Sequence, residues 1–333
     1  MIQIYFLLSS ECNLNCSFCI RRTAKKEVMP LQNAIKALEK ISSEYSNVQL
    51  IISGGEPFLY PNFDEIIEYA CTRFRSVYIN TNGTQCNSKI SFLTRFADKI
   101  TVQVSIDGDV YSHNSMRGDG VYEEAMRNIS LMKENNIRIV VSSSVNKENN
   151  KSLKNIIPEL ELNRVDLWKI SPIQAFTKAE YEKNLSVTEW NDFVDDILKY
   201  SKLRVFISKL FDFSIYEKIE KKYGKEYLSQ KVVSNCGSAK NKFYVYPDFE
   251  VYPCTCLTDY AAGNVIKDSI SQIKENLRNI EQLFFPKNNI CKECRWLYLC
   301  NGGCQGYSYH FYHDLGMGDI RCPSLRKARH NEI

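Results

Sequence analysis

Three cysteines near the start of the sequence, Cys12, Cys16 and Cys19, are separated by three and then two residues. Thiolates at this spacing can bind three irons of a [4Fe–4S] cluster and leave the fourth iron open to a ligand that is not protein. A structural zinc site instead uses four protein ligands, often as two pairs of cysteines. No further cysteine occurs before Cys71, so the triad favours an iron–sulfur cluster with one open corner over zinc.

The cysteine count and the overall composition exclude several classes of protein. Thirteen cysteines are an odd number, and the sequence opens with strand-forming residues where a secretory signal would carry basic and then apolar ones. We therefore expect reduced thiols in a cytoplasmic protein, without a disulfide framework. The net charge of +4 is too small to predict a nucleic-acid partner. No apolar run is long enough to predict a membrane span.

Residues 1–202 alternate between short β-rich runs and one-sided helices, which predicts an α/β fold with a parallel sheet. Six such units predict a partial (β/α)6 TIM-like barrel. Ser186 and Glu189 form a capping box that predicts the start of the last helix of this region. The predicted strands are residues 2–8, 48–53, 76–81, 100–106, 137–145 and 165–170.

Segments able to do chemistry follow the first four predicted strands. They are the cysteine triad and residues 53–57 (Ser-Gly-Gly-Glu-Pro), 80–83 (Asn-Thr-Asn-Gly) and 105–108 (Ser-Ile-Asp-Gly). Active sites of such barrels lie at the C-terminal ends of the strands. We therefore expect the four segments to meet on one rim.

The pattern changes after residue 202. Residues 203–232 predict a charged helical bridge, with a helix near 211–230, and the stretch 199–231 is basic and rich in Tyr and Phe. This stretch can attract an acidic ligand or simply be a solvated helix face. Residues 233–333 predict a small cysteine-rich α+β domain with a hairpin at 243–253. Its cysteines are Cys236, Cys254, Cys256, Cys291, Cys294, Cys300, Cys304 and Cys322.

The ordered motifs of the first 200 residues resemble those of radical S-adenosylmethionine (SAM) enzymes. The resemblance implies that Cys12, Cys16 and Cys19 hold a [4Fe–4S] cluster whose open iron is chelated by the methionine amine and carboxylate of SAM. Reduction would then release a 5′-deoxyadenosyl radical, which removes a hydrogen atom from the substrate.

The same resemblance implies contacts with SAM from residues around the cluster. They are Phe18 (adenine), the backbone of Gly54 and Gly55, Glu56 (methionine ammonium), Ser105 and Asp107 (ribose) and Arg117 (methionine carboxylate). Other interpretations stay open: a tight turn for the glycines, a strand-end cap for Ser105 and Asp107, and a surface ion pair for Arg117. Asn82 is as well explained by a turn as by a functional role.

The C-terminal cysteines resemble the SPASM extension, which binds two auxiliary [4Fe–4S] clusters and gives three clusters in all. The resemblance assigns Cys236, Cys254 and Cys304 to the first auxiliary cluster and Cys291, Cys294, Cys300 and Cys322 to the second, although the second set alone also suits zinc. Phe249 stands where relatives usually have glycine, and residues 229–235 lack a cysteine that some members carry. Cys256 can fill this gap, or be a free thiol beside an open iron.

Enzymes of this architecture mostly act on peptides. We therefore expect a crosslink or an oxidised residue in a ribosomally made precursor peptide, with a flavodoxin- or ferredoxin-type donor of low-potential electrons. Because Cys12 is so close to Met1, we expect leader recognition by the basic bridge or by a separate protein. The alternatives are a peptide epimerase with Cys86 or Cys256 as hydrogen donor, a dehydrogenase of a sugar or nucleoside, and a metal-bound scaffold. Thr255 argues against formylglycine formation, since sulfatase maturases place an acid there.

Overall fold

The computed structural model describes residues 1–20, 26–231 and 236–328, and its centre is a single β-sheet. In the described chain this sheet has nine strands, in the order β7-β6-β5-β4-β3-β2-β1-β8-β9. All neighbouring strands are parallel except β8 and β9. The strands are β1 (Ile2–Leu7), β2 (Val48–Ser53), β3 (Ser76–Thr81), β4 (Ile100–Ser105), β5 (Arg138–Val145), β6 (Leu167–Pro172), β7 (Val205–Phe206), β8 (Lys242–Val245) and β9 (Val251–Tyr252).

Helices connect consecutive strands of the parallel part, as parallel pairing requires. They are α1 (Leu31–Glu44), α2 (Phe63–Arg73), α3 (Ile90–Thr94), α4 (Val110–Arg117), α5 (Val121–Glu134), α6 (Ile157–Leu162), α7 (Lys178–Glu182) and α8 (Val187–Tyr200). The remaining helices are α9 (Ser214–Tyr223), α10 (Lys225–Lys231), α11 (Ile270–Gln282), α12 (Asn289–Lys292), α13 (Leu297–Cys300), α14 (Gln305–Tyr312) and α15 (Pro323–Ala328). The core lies between the sheet and the apolar faces of these helices.

This architecture confirms the predicted α/β fold. The capping box of Ser186 and Glu189 is present at the start of α8, and the bounds of β2 and β3 are those predicted. The helix predicted near 211–230 is wrong as one element. It is broken at Gly224, whose φ of +86° lies in the left-handed region, so that α9 and α10 are separate helices.

The cysteine-rich region shares the sheet of the barrel. Strand β8 pairs in parallel with β1, and the rings of Tyr5 and Tyr244 stack at 4.4 Å between centroids. The predicted hairpin is present as β8 and β9. In its turn Phe249 adopts φ +69°, the conformation that glycine takes most easily, so the unusual residue occupies a glycine-like position. The boundaries 1–202, 203–232 and 233–333 stay predictions.

Within the described ranges, no helix combines the length and the apolar character needed to cross a membrane.

Candidate functional site

The loop that carries the cysteine triad is pressed against the end of β2. The amide of Gly55 donates to the carbonyl of Ser9 at 2.7 Å, and the amide of Glu56 donates to that of Glu11 at 2.8 Å. A Cβ on Gly54 would lie 2.3 Å from the Ser9 oxygen, and one on Gly55 would lie 2.0 Å from the Glu11 oxygen. The two glycines are therefore needed for the loop to approach β2, and their contact with SAM stays a prediction.

Glu56 lies beneath this loop with 1% of its surface exposed. Its carboxylate accepts hydrogen bonds from the hydroxyl of Thr81 and the amide of Asn82, both at 2.8 Å, and from the amide of Phe58 at 3.2 Å. It therefore ties the end of β2 to the end of β3. Burial raises the pKa of Glu56 to about 7. Because an ionised carboxylate accepts up to four hydrogen bonds, it retains capacity for one more donor.

The three thiols have different surroundings. Cys16 is buried, whereas Cys12 and Cys19 are exposed. The Sγ of Cys12 accepts from the amide of Leu14 at 3.4 Å and lies 3.9 Å from Nδ2 of Asn82. Burial raises the pKa of both Cys12 and Cys16, so these thiols hold their protons until a metal displaces them. Three thiols of one loop, two of them open to solvent, fit a cluster bound at the surface of the rim.

A buried ion pair joins α4 to the end of β4 beside this loop. Nε of Arg117 donates to Oδ2 of Asp107 at 2.6 Å, and Oδ1 of Asp107 accepts from the amide of Ser144 at 2.7 Å. The Arg117 guanidinium also lies 3.9 Å from Sγ of Cys16 and 5.2 Å from the ring centroid of Phe18. Burial alone would lower the pKa of Arg117, but the Asp107 carboxylate holds it above its ordinary value. A permanent positive charge therefore stands beside the triad.

This pair changes the role expected of Asp107. Its side chain is fully buried and each oxygen accepts one hydrogen bond from the protein, so it positions Arg117, and its contact with a ribose stays a prediction. Ser105 is half-buried at the end of β4, and its contact with the ribose also stays a prediction. Sequence reasoning missed Ser144, although the run Ser142–Ser144 at the end of the predicted fifth strand carried the signal.

Two other cysteines are packed in the core. Cys86 is fully buried, and its thiol donates to the carbonyl of Gly83 at 3.2 Å. Burial raises its pKa to about 12. The structure therefore places the Cys86 thiol in the buried core, and its role as a hydrogen donor stays a prediction. Cys71 is 2% exposed and is also a packed thiol.

A cavity of about 760 Å³ opens between the barrel rim, the residues that follow β7 and the cysteine-rich region. This volume suits a small-molecule cofactor together with part of a substrate. Cys16, Phe18 and Arg117 line one part of its wall. The cysteines that line the opposite region are Cys236, Cys254, Cys256, Cys300 and Cys304. The cavity therefore brings Cys16 and Cys19 of the triad to the same space as five of the C-terminal cysteines.

The first C-terminal set lies around Lys242 of β8. The amide of Cys256 donates to Sγ of Cys254 at 3.4 Å. Lys242 hydrogen-bonds the side chain of Cys236. Burial opposes the charge on Lys242, but the neighbouring Cys236, Tyr5 and Cys254 hold its pKa above the ordinary value.

The second C-terminal set is built on short helices. Asn288 caps α12, accepting from the amide of Cys291 at 2.7 Å. Burial first, and then the nearby thiols of the set, raise the pKa of Cys300 to about 12. Asp319 lies between the two sets: it accepts from the amide of Cys304 at 3.0 Å and forms a buried ion pair with Arg321. The structure therefore brings together the cysteines that the sequence assigned to each auxiliary set.

In the described part of the chain, no three His, Cys, Asp or Glu side chains are arranged to hold a single metal ion. Tetrahedral zinc would need its sulfur ligands gathered around one atom.

Sequence profiles of two families match the chain. The profile of the radical SAM superfamily matches residues 6–157, and that of SPASM, an iron–sulfur cluster-binding domain, matches residues 236–295. The chain carries a radical SAM domain and a SPASM domain. Its radical SAM domain binds SAM and a [4Fe–4S] cluster, and its SPASM domain binds auxiliary iron–sulfur clusters.

Several curated proteins are similar to this radical SAM protein. The sporulation killing factor maturation protein SkfB of Bacillus subtilis is 24% identical over 85% of this chain and 67% of its own length. The antilisterial bacteriocin subtilosin biosynthesis protein AlbA of the same organism is 24% identical over 92% of this chain and 68% of its own. The mycofactocin maturase MftC of Mycobacterium ulcerans is 24% identical over 97% and 89%.

Solved structures share the fold. Streptococcus suis SuiB bound to the precursor peptide SuiA matches with a TM-score of 0.81 and 16% identity, over 97% of this chain and 76% of SuiB. Native anSMEcpe with bound AdoMet matches with a TM-score of 0.77 and 20% identity, over 98% of this chain and 95% of that one. At these identities the likeness establishes the architecture of the radical SAM protein.

Lys242 should raise the midpoint potential of the first auxiliary cluster. A positive charge that donates to a cysteine ligand stabilises the reduced, more negative cluster. We expect Lys242→Met to lower the midpoint potential of one auxiliary cluster, measured by potentiometric titration with electron paramagnetic resonance (EPR). Lys240→Met is the control, because Lys240 is exposed and lies outside the cavity that Lys242 lines. Equal potentials in the two variants would contradict the role of Lys242.

Proposed function

We propose that this radical SAM protein is a cytoplasmic oxidoreductase that introduces a crosslink or an oxidised residue into a ribosomally made peptide. The observation that carries the proposal is one cavity that is lined by Cys16 and Cys19 of the triad and also by the first auxiliary set. A substrate held there is close both to the site where hydrogen is removed and to a cluster able to accept an electron. The similarity to SkfB, a maturation protein, and to MftC, a maturase, supports a peptide substrate.

The chain's own residues bind and orient the reacting groups. Cys12, Cys16 and Cys19 hold the cluster, which together with SAM supplies the 5′-deoxyadenosyl radical. The free acceptor capacity of Glu56 suits the methionine ammonium, and Arg117 suits the methionine carboxylate. The adenosine part of SAM would contact the remaining groups, which are Phe18, Ser105 and the backbone at Gly54 and Gly55.

Loss of one hydrogen atom leaves a substrate radical, and a closed-shell product two daltons lighter requires the further loss of one electron and of one proton, which passes to solvent. The first auxiliary set lies on the same cavity and offers an acceptor for it. A flavodoxin- or ferredoxin-type donor would reduce the clusters. A separate leader-recognition protein, or the basic bridge, would deliver the precursor peptide.

Mass spectrometry of the peptide product tests this function. The substrate to use is the product of a short reading frame beside the gene, incubated anaerobically with SAM, reductant and reconstituted protein. We expect the peptide to lose two daltons in step with 5′-deoxyadenosine formation. Matched reactions lack SAM or use Cys16→Ala.

The same experiment separates the alternatives. A peptide whose mass is unchanged after reaction in H₂O, but which gains one deuterium after reaction in D₂O, would indicate an epimerase. Cys256, which lines the cavity, would then be the candidate hydrogen donor. An unmodified peptide together with oxidation of a sugar or nucleoside would indicate the small-molecule dehydrogenase. Colourless protein that never cleaves SAM would indicate a scaffold.

The affinity for SAM should depend on pH through Glu56. The iron-bound amine of SAM donates its N–H groups to the ionised carboxylate, and the pKa of Glu56 is raised to about 7, so affinity rises as pH rises through 7. From the ionised fractions we expect binding about tenfold weaker at pH 6 than at pH 8. Equilibrium dialysis of SAM against the oxidised protein measures this. Glu56→Gln should bind more weakly and without the pH dependence; a flat wild-type profile would contradict the assignment.

A further inference from the structure

The first auxiliary set has three assigned cysteines and an additional thiol within reach. Residues 229–235, ahead of Cys236, contain no cysteine. Cys256 follows Cys254 by two residues and lines the same cavity as Cys236 and Cys304. We propose that Cys256 is the fourth ligand of the first auxiliary cluster.

The positions of the sulfurs support this ligand set. Sγ of Cys256 and Sγ of Cys304 each lie 3.5 Å from the point where a Cβ would stand on Gly306, so the two sulfurs are at most twice that distance apart. The amide of Cys256 donates to Sγ of Cys254, which fixes the third sulfur beside them. Gly306, the second residue of α14, provides the space between the thiols that a side chain would fill.

The turn that presents Cys256 is held from outside the set. Nε2 of His310 lies 2.8 Å from the carbonyl oxygen of Cys256, and the His310 ring contacts Phe176 edge-on at 4.5 Å between centroids. Helix α14 thus begins beside Cys304 and, through His310, also holds the backbone of Cys256. The His310 contact gives the Cys254–Cys256 turn a fixed position, as a preorganised ligand requires.

A fourth thiolate changes what the cluster can do. Ligation replaces the thiol proton of Cys256, which passes to solvent, with an Fe–S bond, and no electron is transferred in that step. A cluster with four protein thiolates has no iron open to a substrate. It can then accept an electron from a substrate radical without binding the substrate. The inference shares one requirement with the proposed function, which is that the SPASM domain contains its auxiliary clusters.

The test uses full-length protein with Cys12, Cys16 and Cys19 changed to alanine, so that only auxiliary clusters remain. This parent is reduced anaerobically, mixed with ¹³C-cyanide as a probe for an open iron, and examined by EPR and electron–nuclear double resonance. No peptide is required, so the outcome does not depend on whether the peptide reaction occurs. Cys256→Ala is compared with Cys71→Ala, a matched loss of a thiol in α2, remote from the set.

We expect no ¹³C coupling in the parent or in Cys71→Ala, and a coupling from one cluster in Cys256→Ala, abolished by added ethanethiol. Loss of one cluster's EPR signal in Cys256→Ala, with the other retained, would also support ligation. A ¹³C coupling in the parent would overturn the proposal. So would a Cys256→Ala protein with full iron content and no coupling. If Cys256→Ala fails to fold, the parent measurement alone still decides whether the cluster is closed.

Discussion

Replacing Cys16 with alanine is expected to reduce 5′-deoxyadenosine formation at least about 100-fold, to the level of protein without iron. Loss of residues that merely support metal ligands already costs about 10- to 100-fold, and loss of a ligand should exceed this. Cys16 is the buried member of the triad, and its sulfur lies 3.9 Å from Nη1 of Arg117. Chromatography of anaerobic reactions with SAM and dithionite measures the product.

The matched control is Cys71→Ala. Cys71 is also a buried thiol, but it lies in α2 within the apolar core. Its replacement should leave SAM cleavage within about twofold of wild type, since surface and packing changes away from a site rarely alter its chemistry. Deoxyadenosine formation by Cys16→Ala at the rate of Cys71→Ala would refute the assignment of the triad.

Replacing Arg117 with leucine should destabilise the fold by about 3–5 kcal/mol, because the Asp107 carboxylate is then left buried without its counter-charge. The side chains of Arg117 and Asp107 are 10% and 0% exposed, so solvent cannot compensate. Urea unfolding of the metal-free chain, followed by circular dichroism, measures the loss. We also expect weaker SAM binding in the reconstituted protein.

Two further variants show whether the buried charge is the cause. Arg95→Leu removes an arginine whose pair with Glu68 is more than half exposed, and it should cost less than about 1 kcal/mol. Adding Asp107→Asn to Arg117→Leu should recover most of the stability, since it removes the uncompensated charge. SAM affinity should not recover in this double variant. Equal stability of the Arg117→Leu and Arg95→Leu proteins would show that the ion pair is unimportant.

The parallel sheet was predictable because its strands are β-branched and apolar runs separated by helical periodicity. The break at Gly224 was harder to predict, since the apolar and charged pattern continues across it and the left-handed φ is visible only in the structure. The pairing of β8 with β1 could not be predicted from the sequence either, because it joins residues as far apart as Tyr5 and Tyr244.

The candidate site was likewise predictable from the sequence only in part. Spacing alone identified the cysteine triad and the two auxiliary sets, since cluster ligands are confined to short motifs. Burial and pairing could not be read from residue types. Asp107 and Arg117 were each expected to contact SAM, yet they are bound to one another. Cys86 follows a strand of the rim, as functional residues do, but its thiol is turned into the core.

The pairing of β8, from the SPASM region, with β1 of the barrel limits how this protein can be engineered. A chain ending at residue 202 would lose β8 and leave one side of β1 without partners. Exposed strand edges of this kind recruit other chains, so such a truncation should aggregate. Replacing the C-terminal region with that of a relative would also require the incoming β8 strand to pair with β1 of this chain. The two metal-binding parts therefore have to be inherited, expressed and redesigned as one unit.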